Sequence, residues 1–223
     1  LNDRSFILIQ SKAVNDHKYL PQDTAETGMP RPLLFDETEV INQSMKLFWK
    51  QGYVATGISQ ILQTVALKPG SFYNVFPSKK DLFVRSLTHY QHHIVAGRIA
   101  KHLDNKENPL DAIESFFLSS FENVPKNSML GCLLTNTATE IGSHDADISQ
   151  VVWSGMEMIE SAFRRRIVEA QTLALIGPEK DPDALALHLL SCFQGLGVVG
   201  RLTQDKIRLK RMTQSALDSL RLL

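Results

Sequence analysis

The sequence predicts an all-α protein with an N-terminal three-helix head of the helix-turn-helix type and a larger helical domain after it. Apolar residues recur with a period near 3.6 from residue 36 onward, as they do in amphipathic helices. Valine, isoleucine and threonine never alternate in short runs bounded by turns, so we expect no sheet. Two short helical segments are joined by three residues, which is the helix-turn-helix arrangement.

Start and stop signals divide this pattern into helices. Asp36 and Ser78 are expected N-cap residues, each followed three positions later by an acidic residue. Gly52 provides a C-terminal stop, and Pro69 suits a first helical turn, where its missing N–H costs nothing. The helices are expected at about residues 36–52, 56–65, 69–75, 78–103, 110–123, 130–141, 145–175, 182–202 and 206–222.

The composition excludes several classes of protein. The 223 residues are 43% hydrophobic, which is enough apolar material for a sizeable core. Lysine plus arginine and aspartate plus glutamate number 24 each, which excludes a uniformly basic nucleic-acid coat and an acidic disordered chain. Two cysteines are too few for a disulfide scaffold, and polar residues interrupt the longest weakly polar stretch, 185–202, before it reaches the roughly 18 apolar residues of a membrane span. We therefore expect a soluble, cytoplasmic protein.

The second and third helices indicate a function. In a helix-turn-helix, the N-terminal residues of the second helix of the pair lie near base edges in the major groove. Small residues there let the backbone approach DNA, a tyrosine can donate to a phosphate, and an asparagine can read a base edge or a phosphate. The candidate groove face consists of Lys68, Gly70, Ser71, Tyr73 and Asn74.

Two residues beside this face are further candidates for DNA contacts. Thr56, at the expected start of the second helix, can present its hydroxyl and the helix N-terminus to a phosphate. Lys79 lies at the start of the fourth helix, next to the same face. Phe72 and Phe76 fall on the opposite side of the short third helix, so we expect them in the core.

The charge distribution also fits a DNA-binding head. Residues 29–90 contain seven basic and four acidic side chains, whereas the segments on either side are net acidic. Phosphate contacts by basic side chains supply most of the sequence-independent affinity for DNA. The helix pattern alone equally fits a helical small-molecule or protein-interaction module that never touches DNA. An enzyme is not favoured, because the sequence has no G-x-S-x-G, P-loop, H-E-x-x-H or G-x-G-x-x-G motif.

Residues 35–83, FDETEVINQSMKLFWKQGYVATGISQILQTVALKPGSFYNVFPSKKDLF, closely resemble the DNA-binding domain of TetR/AcrR-family transcriptional regulators. The matching pieces are LFWKQGY, a threonine and an isoleucine five positions apart (Thr56 and Ile61), and GSFYNVFPSKKDLF. One departure is the pair Lys68 and Pro69, where a serine or threonine often caps the recognition helix. This departure leaves the cap and one phosphate contact of that helix undefined.

The resemblance implies a homodimer that acts on a double-stranded DNA operator. Each subunit would have a helix-turn-helix head and a helical C-terminal domain that dimerises and holds a small-molecule pocket, with no cofactor. The two heads would sit about one DNA turn apart, roughly 34–36 Å, on a palindrome. A small-molecule or electrophile inducer would tilt the fourth helix and release the protein, so the resemblance favours a repressor.

The same resemblance places the dimer interface on the last two helices. An alternative is that their apolar residues are intrachain core. The candidate interface residues are Leu189, Phe193, Leu196, Val199, Leu209, Met212, Ala216 and Leu220.

The pocket is expected among aromatic, flexible or polar residues of the C-terminal domain, although each could equally be ordinary core or surface. Asn136 and Thr137 are of most interest, because polar side chains on an otherwise apolar helix need a partner. The candidate ligand-binding residues are Phe117, Phe121, Cys132, Asn136, Thr137, Trp153 and Phe193.

Cys132 is a candidate sensor thiol. It lies at the expected start of a helix, whose dipole favours the thiolate. Its Gly-Cys-Leu segment resembles a subgroup of the family in which some members respond to electrophiles or oxidants. The alternative is a small buried hydrophobe, which is also the interpretation for Cys192. Three histidines at 89, 92 and 93 have a spacing compatible with a metal, but no carboxylate or cysteine cluster accompanies them, so we expect a solvated face.

The N-terminal residues 1–28 are expected to be an extension or linker. Met29 is expected to be the natural start, with the upstream residues not native; a real arm that helps to grip DNA is the alternative. The expected domains are therefore this extension, a DNA-binding domain at 29–78, and a ligand-binding and dimerisation domain at 79–223.

Overall fold

A computed structural model describes residues 35–125, 128–142 and 144–222, with side chains described up to residue 220. Within these ranges the chain is helical and contains no strand, as the sequence predicts. The predictions for residues 1–28 lie outside them. The helices in chain order are α1 (Glu37–Gln51), α2 (Ile58–Thr64), α3 (Pro69–Tyr73), α4 (Lys79–Tyr90, continuing through Gln91–Val95, Ala96–Arg98 and Ile99–Asp104), α5 (Pro109–Leu118), α6 (Leu133–Ile141), α7 (Ala146–Thr172), α8 (Pro182–Thr203) and α9 (Lys206–Leu222).

The predicted helix boundaries of the head are mostly confirmed. The Asp36 carboxylate accepts the backbone N–H of Thr38 at 2.9 Å, and the Ser78 hydroxyl accepts that of Asp81 at 3.0 Å, so both caps form. Gly52 ends α1 with a φ of 89°, a conformation that favours glycine. Further along, α6 begins three residues later than expected, because Gly131 turns the chain with a φ of 73°.

Helix α4 differs from the regular α-helix that the sequence predicts. It contains two π-helical segments, Gln91–Val95 and Ile99–Asp104, on either side of one short α-helical turn. The apolar period does not reveal such a segment, because the wider turn shifts the pattern by only one position. The first segment lies where α7 crosses α4: the Gln91 amide donates to the Val151 carbonyl, and a Cβ at Gly155 would lie 2.8 Å from its nitrogen.

The residues predicted as a dimer face lie mostly inside the single chain. Leu189, Phe193, Leu196, Leu209, Ala216 and Leu220 are buried, and Val199 and Met212 are half-buried. The prediction of this face is therefore wrong: α8 packs against α7 and α9 through the residues that were expected to meet a partner. Helix α8 is apolar on several sides, so periodicity does not show which side faces the core.

The sequence analysis expected no stretch long and apolar enough to span a membrane, and helix α8 shows that this expectation is wrong. Among the described residues it is the one helix long and apolar enough to cross a bilayer by length and composition. A single such helix is weak support for a membrane span, since core helices of soluble proteins pass the same test. In this chain α8 lies in the helical core of the C-terminal region.

Candidate DNA interface and ligand cavity

Helices α2 and α3 form a helix-turn-helix whose second helix is held by two phenylalanines. After α2, Ala66 adopts a φ of 54° and the backbone N–H of Leu67 donates to the Leu62 carbonyl at 3.1 Å, which closes the turn. Phe72 and Phe76 are fully buried below α3, as predicted. These anchors fix the short helix although it has only five residues.

The predicted groove face lies on the solvent side of α3. Its members are Lys68, Gly70, Ser71, Tyr73 and Asn74, of which Ser71 is half-buried and the others are exposed. A Cβ at Gly70 would meet nothing within 4 Å, so the backbone there is open to a large partner. The Tyr73 ring packs edge-on against Phe72 at 5.2 Å and remains 47% exposed.

Thr56 does not present its hydroxyl to solvent. The side chain is fully buried, and the hydroxyl donates to the Gly52 carbonyl at 2.6 Å. Helix α2 begins at Ile58, with Gly57 as its N-cap, so Thr56 also lies before the helix rather than at its start. The prediction of a phosphate contact through this hydroxyl is therefore wrong, because the hydroxyl is buried and hydrogen-bonded within the loop between α1 and α2.

The Lys79 ammonium likewise binds groups of the head itself. Its ammonium donates to the carbonyls of Tyr53 at 3.0 Å and Thr56 at 3.1 Å, and it lies 4.3 Å from the centre of the Tyr53 ring. Lys79 thus joins the loop before α2 to the start of α4. The structure contradicts the expectation of a free ammonium next to the groove face.

Two further cations of the head are paired within the chain. Lys80 contacts the carboxylates of Asp145 at 2.9 Å and Asp147 at 2.7 Å, and this hydrogen bond lowers the pKa of Asp145. Arg85 contacts the carboxylate of Glu37 at 2.6 Å and that of Asp81 in its own helix. The positive charge available to a DNA backbone is therefore smaller than the residue count suggested.

A cavity of about 180 Å³ lies in the C-terminal region, with Trp49 of α1 in its wall. It is bounded by α4, the segment between α5 and α6, α8 and α9. Three predicted ligand-binding residues line it: Phe121, Cys132 and Phe193. The remaining lining residues are Ile94, Arg98, Ser119, Ser120, Val124, Ser128, Met129, Leu130, Gly131, Leu196, Gly197, Gly200 and Leu209.

Four predicted ligand-binding residues lie elsewhere. Phe117 is buried in an aromatic cluster with Phe193, and Trp153 is 53% exposed on α7. The Asn136 amide donates to the Leu130 carbonyl at 3.0 Å, and the buried Thr137 hydroxyl donates to a carbonyl of its own helix. The polar residues of α6 therefore have partners within the chain, and Asn136 and Thr137 do not line this cavity.

Arg98 and Trp49 are among the lining residues that were not predicted from the sequence. Arg98 lies between the apolar residues Val95 and Ile99 on α4, and a single cation within an apolar stripe was a signal that could have been used. Trp49 belongs to a segment interpreted only as part of the DNA-binding head. Its role in the cavity depends on how the head packs.

The head and the cavity wall share direct hydrogen bonds. The Trp49 indole N–H donates to the Gly131 carbonyl at 3.1 Å. The Glu140 carboxylate of α6 accepts the backbone N–H groups of Tyr53 at 2.9 Å and Val54 at 2.8 Å. A displacement of α6 or of the turn before it would therefore move the end of α1 or break these hydrogen bonds.

Cys132 is the N-cap residue of α6 and is buried at the cavity wall. The Tyr90 hydroxyl donates to its sulfur at 3.9 Å, and burial raises the pKa of Tyr90 well above its ordinary value. Cys192 is half-buried rather than core, with its sulfur 3.5 Å from a ring nitrogen of His188. Burial raises the pKa of the Cys192 thiol.

The histidines of α4 form no metal site in the described part of the chain. The rings of His89 and His93 lie 4.1 Å apart, and the pKa of His89 is lowered, first by burial and then by the charges of His93 and His92. Within those residues, no group of three or more histidine, cysteine, aspartate or glutamate side chains could hold a metal ion.

Comparisons with known proteins cover both parts of the chain. Residues 40–85 match the model of the bacterial regulatory proteins of the tetR family, and residues 109–216 match that of the tetracyclin repressor-like C-terminal domain. The HTH-type transcriptional repressor ComR of Escherichia coli strain K12 is 27% identical over 194 residues, which are 86% of this chain and 90% of ComR.

Solved structures show the same fold. A cysteine mutant of the TetR-family regulator CifR, in complex with 26-bp operator DNA, superposes with a TM-score of 0.75 at 21% identity and covers 85% of this chain and 99% of its own. A TetR regulator from Chloroflexus aurantiacus gives a TM-score of 0.72 at 26% identity, over 81% and 91% of the two chains.

Proposed function

Because the chain belongs to the TetR family of bacterial transcriptional regulators, we propose that it recognises a specific DNA operator through α3. The observation that carries this proposal is the arrangement of α3, with Phe72 and Phe76 buried below it and Lys68, Tyr73 and Asn74 exposed above. An exposed lysine, tyrosine and asparagine on the second helix of a helix-turn-helix are suited to phosphates and base edges in the major groove. Five of the seven residues predicted to contact DNA lie on this groove face, and Thr56 and Lys79 do not.

We further propose that the protein acts as a homodimeric repressor through an exposed strip of α8. The strip consists of Leu187, Ser191, Gly195, Val198 and Leu202, which recur at helical spacing. Leu187, Val198 and Leu202 are 50%, 45% and 80% exposed in the single chain. A Cβ at Gly195 would meet nothing within 4 Å, so a second helix could approach closely there. This strip replaces the buried face that the sequence analysis predicted.

The cavity is the proposed inducer site. It lies where Trp49 of the head, α4 and the turn before α6 meet. A ligand that fits only one arrangement of these elements would shift the spacing of the two heads, which is the differential binding that allosteric release requires. Cys132 lines the same cavity, and we propose its thiol as the attachment point for an electrophilic inducer. That the Gly-Cys-Leu segment marks a subgroup of the family stays a prediction.

The first experiment is selection of bound genomic fragments, including the region upstream of the protein's own gene, followed by sequencing. A palindromic site with half-sites about one turn apart would support the dimeric regulator. No retention of DNA, at low as well as at physiological salt, would favour the helical interaction module instead. Mass spectrometry of the denatured sample would show whether an inducer was carried through purification.

A further inference from the structure

We propose that the cavity takes a small ligand with a carboxylate group, held by the guanidinium of Arg98. This inference rests on the proposed function, since it names the chemical class of the inducer at that site. It is carried by the surroundings of Arg98, by the size and polarity of the cavity, and by the position of Arg98 on α4.

Arg98 is held in place by neutral groups. Its guanidinium donates to the Ser119 hydroxyl at 2.8 and 3.2 Å and to the Phe116 carbonyl at 3.2 Å. It lies 4.9 Å from the centre of the Phe116 ring and 5.3 Å from that of Phe193. These contacts orient the guanidinium but leave its charge without an anion.

No carboxylate in the described part of the chain forms an ion pair with Arg98, and none lines the cavity there. Burial lowers the pKa of Arg98, and Tyr90 and Cys132 act in the opposite direction. Arg98 is half-buried, and a cation partly withdrawn from water without a counter-ion is destabilised unless an anion or strong acceptor joins it. A carboxylate suits the planar guanidinium best, because the two can form parallel hydrogen bonds.

The rest of the cavity is suited to a small apolar body. Aromatic and aliphatic side chains form most of its wall, including Phe121, Met129 and Leu196. Its volume of about 180 Å³ is below the roughly 300–1,000 Å³ typical of drug-sized ligands. We therefore infer a short aliphatic or single-ring monocarboxylate rather than a large polycyclic molecule.

Arg98 also lies where a bound anion would influence the head. It falls between the two π-helical segments of α4, and the N-terminal part of α4 packs on α1. Short π-helical segments occur frequently at functional sites. A carboxylate that draws the guanidinium toward it would act on the helix that connects the cavity with the head.

The test is calorimetric titration of the purified full chain with matched ligand pairs: hexanoate with hexanamide and benzoate with benzamide. The members of each pair have nearly the same shape and differ in charge. A charge-assisted hydrogen bond to Arg98 predicts that at least one carboxylate binds about 10- to 100-fold more tightly than its amide. Equal affinities within both pairs, or no binding of either carboxylate, would overturn the proposal.

Two variants locate the effect. Arg98→Gln is expected to abolish the preference for carboxylate over amide, whereas Arg165→Gln removes the same charge from an exposed position and should leave the preference unchanged. Because Arg98→Gln could impair folding, Arg98→Lys is measured beside it; it keeps the charge, loses the paired hydrogen bonds, and should weaken carboxylate binding several-fold. A carboxylate preference that survives in a folded Arg98→Gln protein contradicts the proposal.

Operator binding is measured separately, so that the two proposals fail in different ways. Sequence-specific DNA binding without any carboxylate preference would overturn the ligand class and leave the regulator intact. Arg98-dependent carboxylate binding by a protein that binds no operator would support the ligand class and contradict the proposed function.

Discussion

The indole N–H of Trp49 donates a hydrogen bond to the carbonyl of Gly131 at 3.1 Å, although 82 residues separate the two in the chain. Trp49 belongs to the first helix of the head, and Gly131 directly precedes Cys132 in the cavity wall. The proposed DNA-binding and ligand-binding parts are therefore joined by side chains as well as by α4. Glu140 provides the second such link, and its removal is the most direct test of the connection.

Replacing Glu140 by alanine should lower the free energy of unfolding by about 1–3 kcal/mol. The carboxylate accepts two backbone N–H groups, those of Tyr53 and Val54, which would lose a charged acceptor. Urea unfolding of this variant is compared with that of Glu157→Ala, which removes an exposed carboxylate of α7. Equal free energies of unfolding for the two variants would mean that the contact of Glu140 with Tyr53 and Val54 does not stabilise the protein.

Thr56→Val should destabilise the protein by about 1 kcal/mol and leave the salt dependence of DNA binding unchanged. Valine keeps the shape of the buried side chain but leaves the Gly52 carbonyl without the hydroxyl. Thr64→Val, which removes a comparable hydrogen bond at an exposed position, should change stability by less than about 0.5 kcal/mol. A weaker salt dependence of DNA binding in Thr56→Val would contradict this expectation and support a phosphate contact by the Thr56 hydroxyl.

Lys68→Ala should weaken operator binding and reduce the slope of log affinity against log salt by about 1.8, the contribution of one phosphate contact from each subunit of the dimer. The exposed lysine is the N-cap of α3, and in the described residues it has no ion-pair partner. Filter binding across a salt series measures the slope. Lys101→Ala, at the far end of α4, serves as the control; the same slope for both variants would exclude Lys68 from the interface.

Treatment with N-ethylmaleimide should release the protein from its operator, and Cys132→Ser should abolish this response. The thiol at the cavity wall would carry the modification into the junction between α4 and α6. Cys192→Ser is the matched control, since these are the two cysteines of the chain. A full response in Cys132→Ser would show that the sensor hypothesis is wrong.

Val198→Asp should convert the proposed homodimer into a monomer in sedimentation velocity. A carboxylate in the middle of the exposed α8 strip would be buried without a partner in the dimer, which is strongly unfavourable. Val168→Asp places the same charge on an exposed position of α7 and should leave the mass unchanged. A dimer that persists in Val198→Asp would place the interface on another surface.

Features that depend on neighbouring residues in the chain could be predicted from the sequence. The caps at Asp36 and Ser78 and the burial of Phe72 and Phe76 follow from local hydrogen bonding and helical periodicity. These features also place Tyr73 on the solvent side of α3. The exposed groove face was therefore predictable before any packing was known.

Features that depend on distant parts of the chain could not be predicted in this way. The hydroxyl of Thr56 and the ammonium of Lys79 look equally available in the sequence, and only the folded loop shows that backbone carbonyls accept them. The outer side of α8 is another example, because Leu187 and Leu189 are equally apolar and only the packing of α7 and α9 separates the exposed leucine from the buried one.

The two π-helical segments absorb extra residues without changing which side of α4 faces the cavity. Each α-helical residue turns the chain by about 100°, so deleting one residue from a regular part of the helix would rotate everything after it by about that angle. A π-helical turn holds about one residue more than an α-helical turn, so a deletion within Gln91–Val95 would leave a regular α-helix with Lys79–Tyr90 on the head and Arg98 toward the cavity. The wide turns thus make α4 tolerant of one-residue changes in length, and both ends of the helix keep their facing.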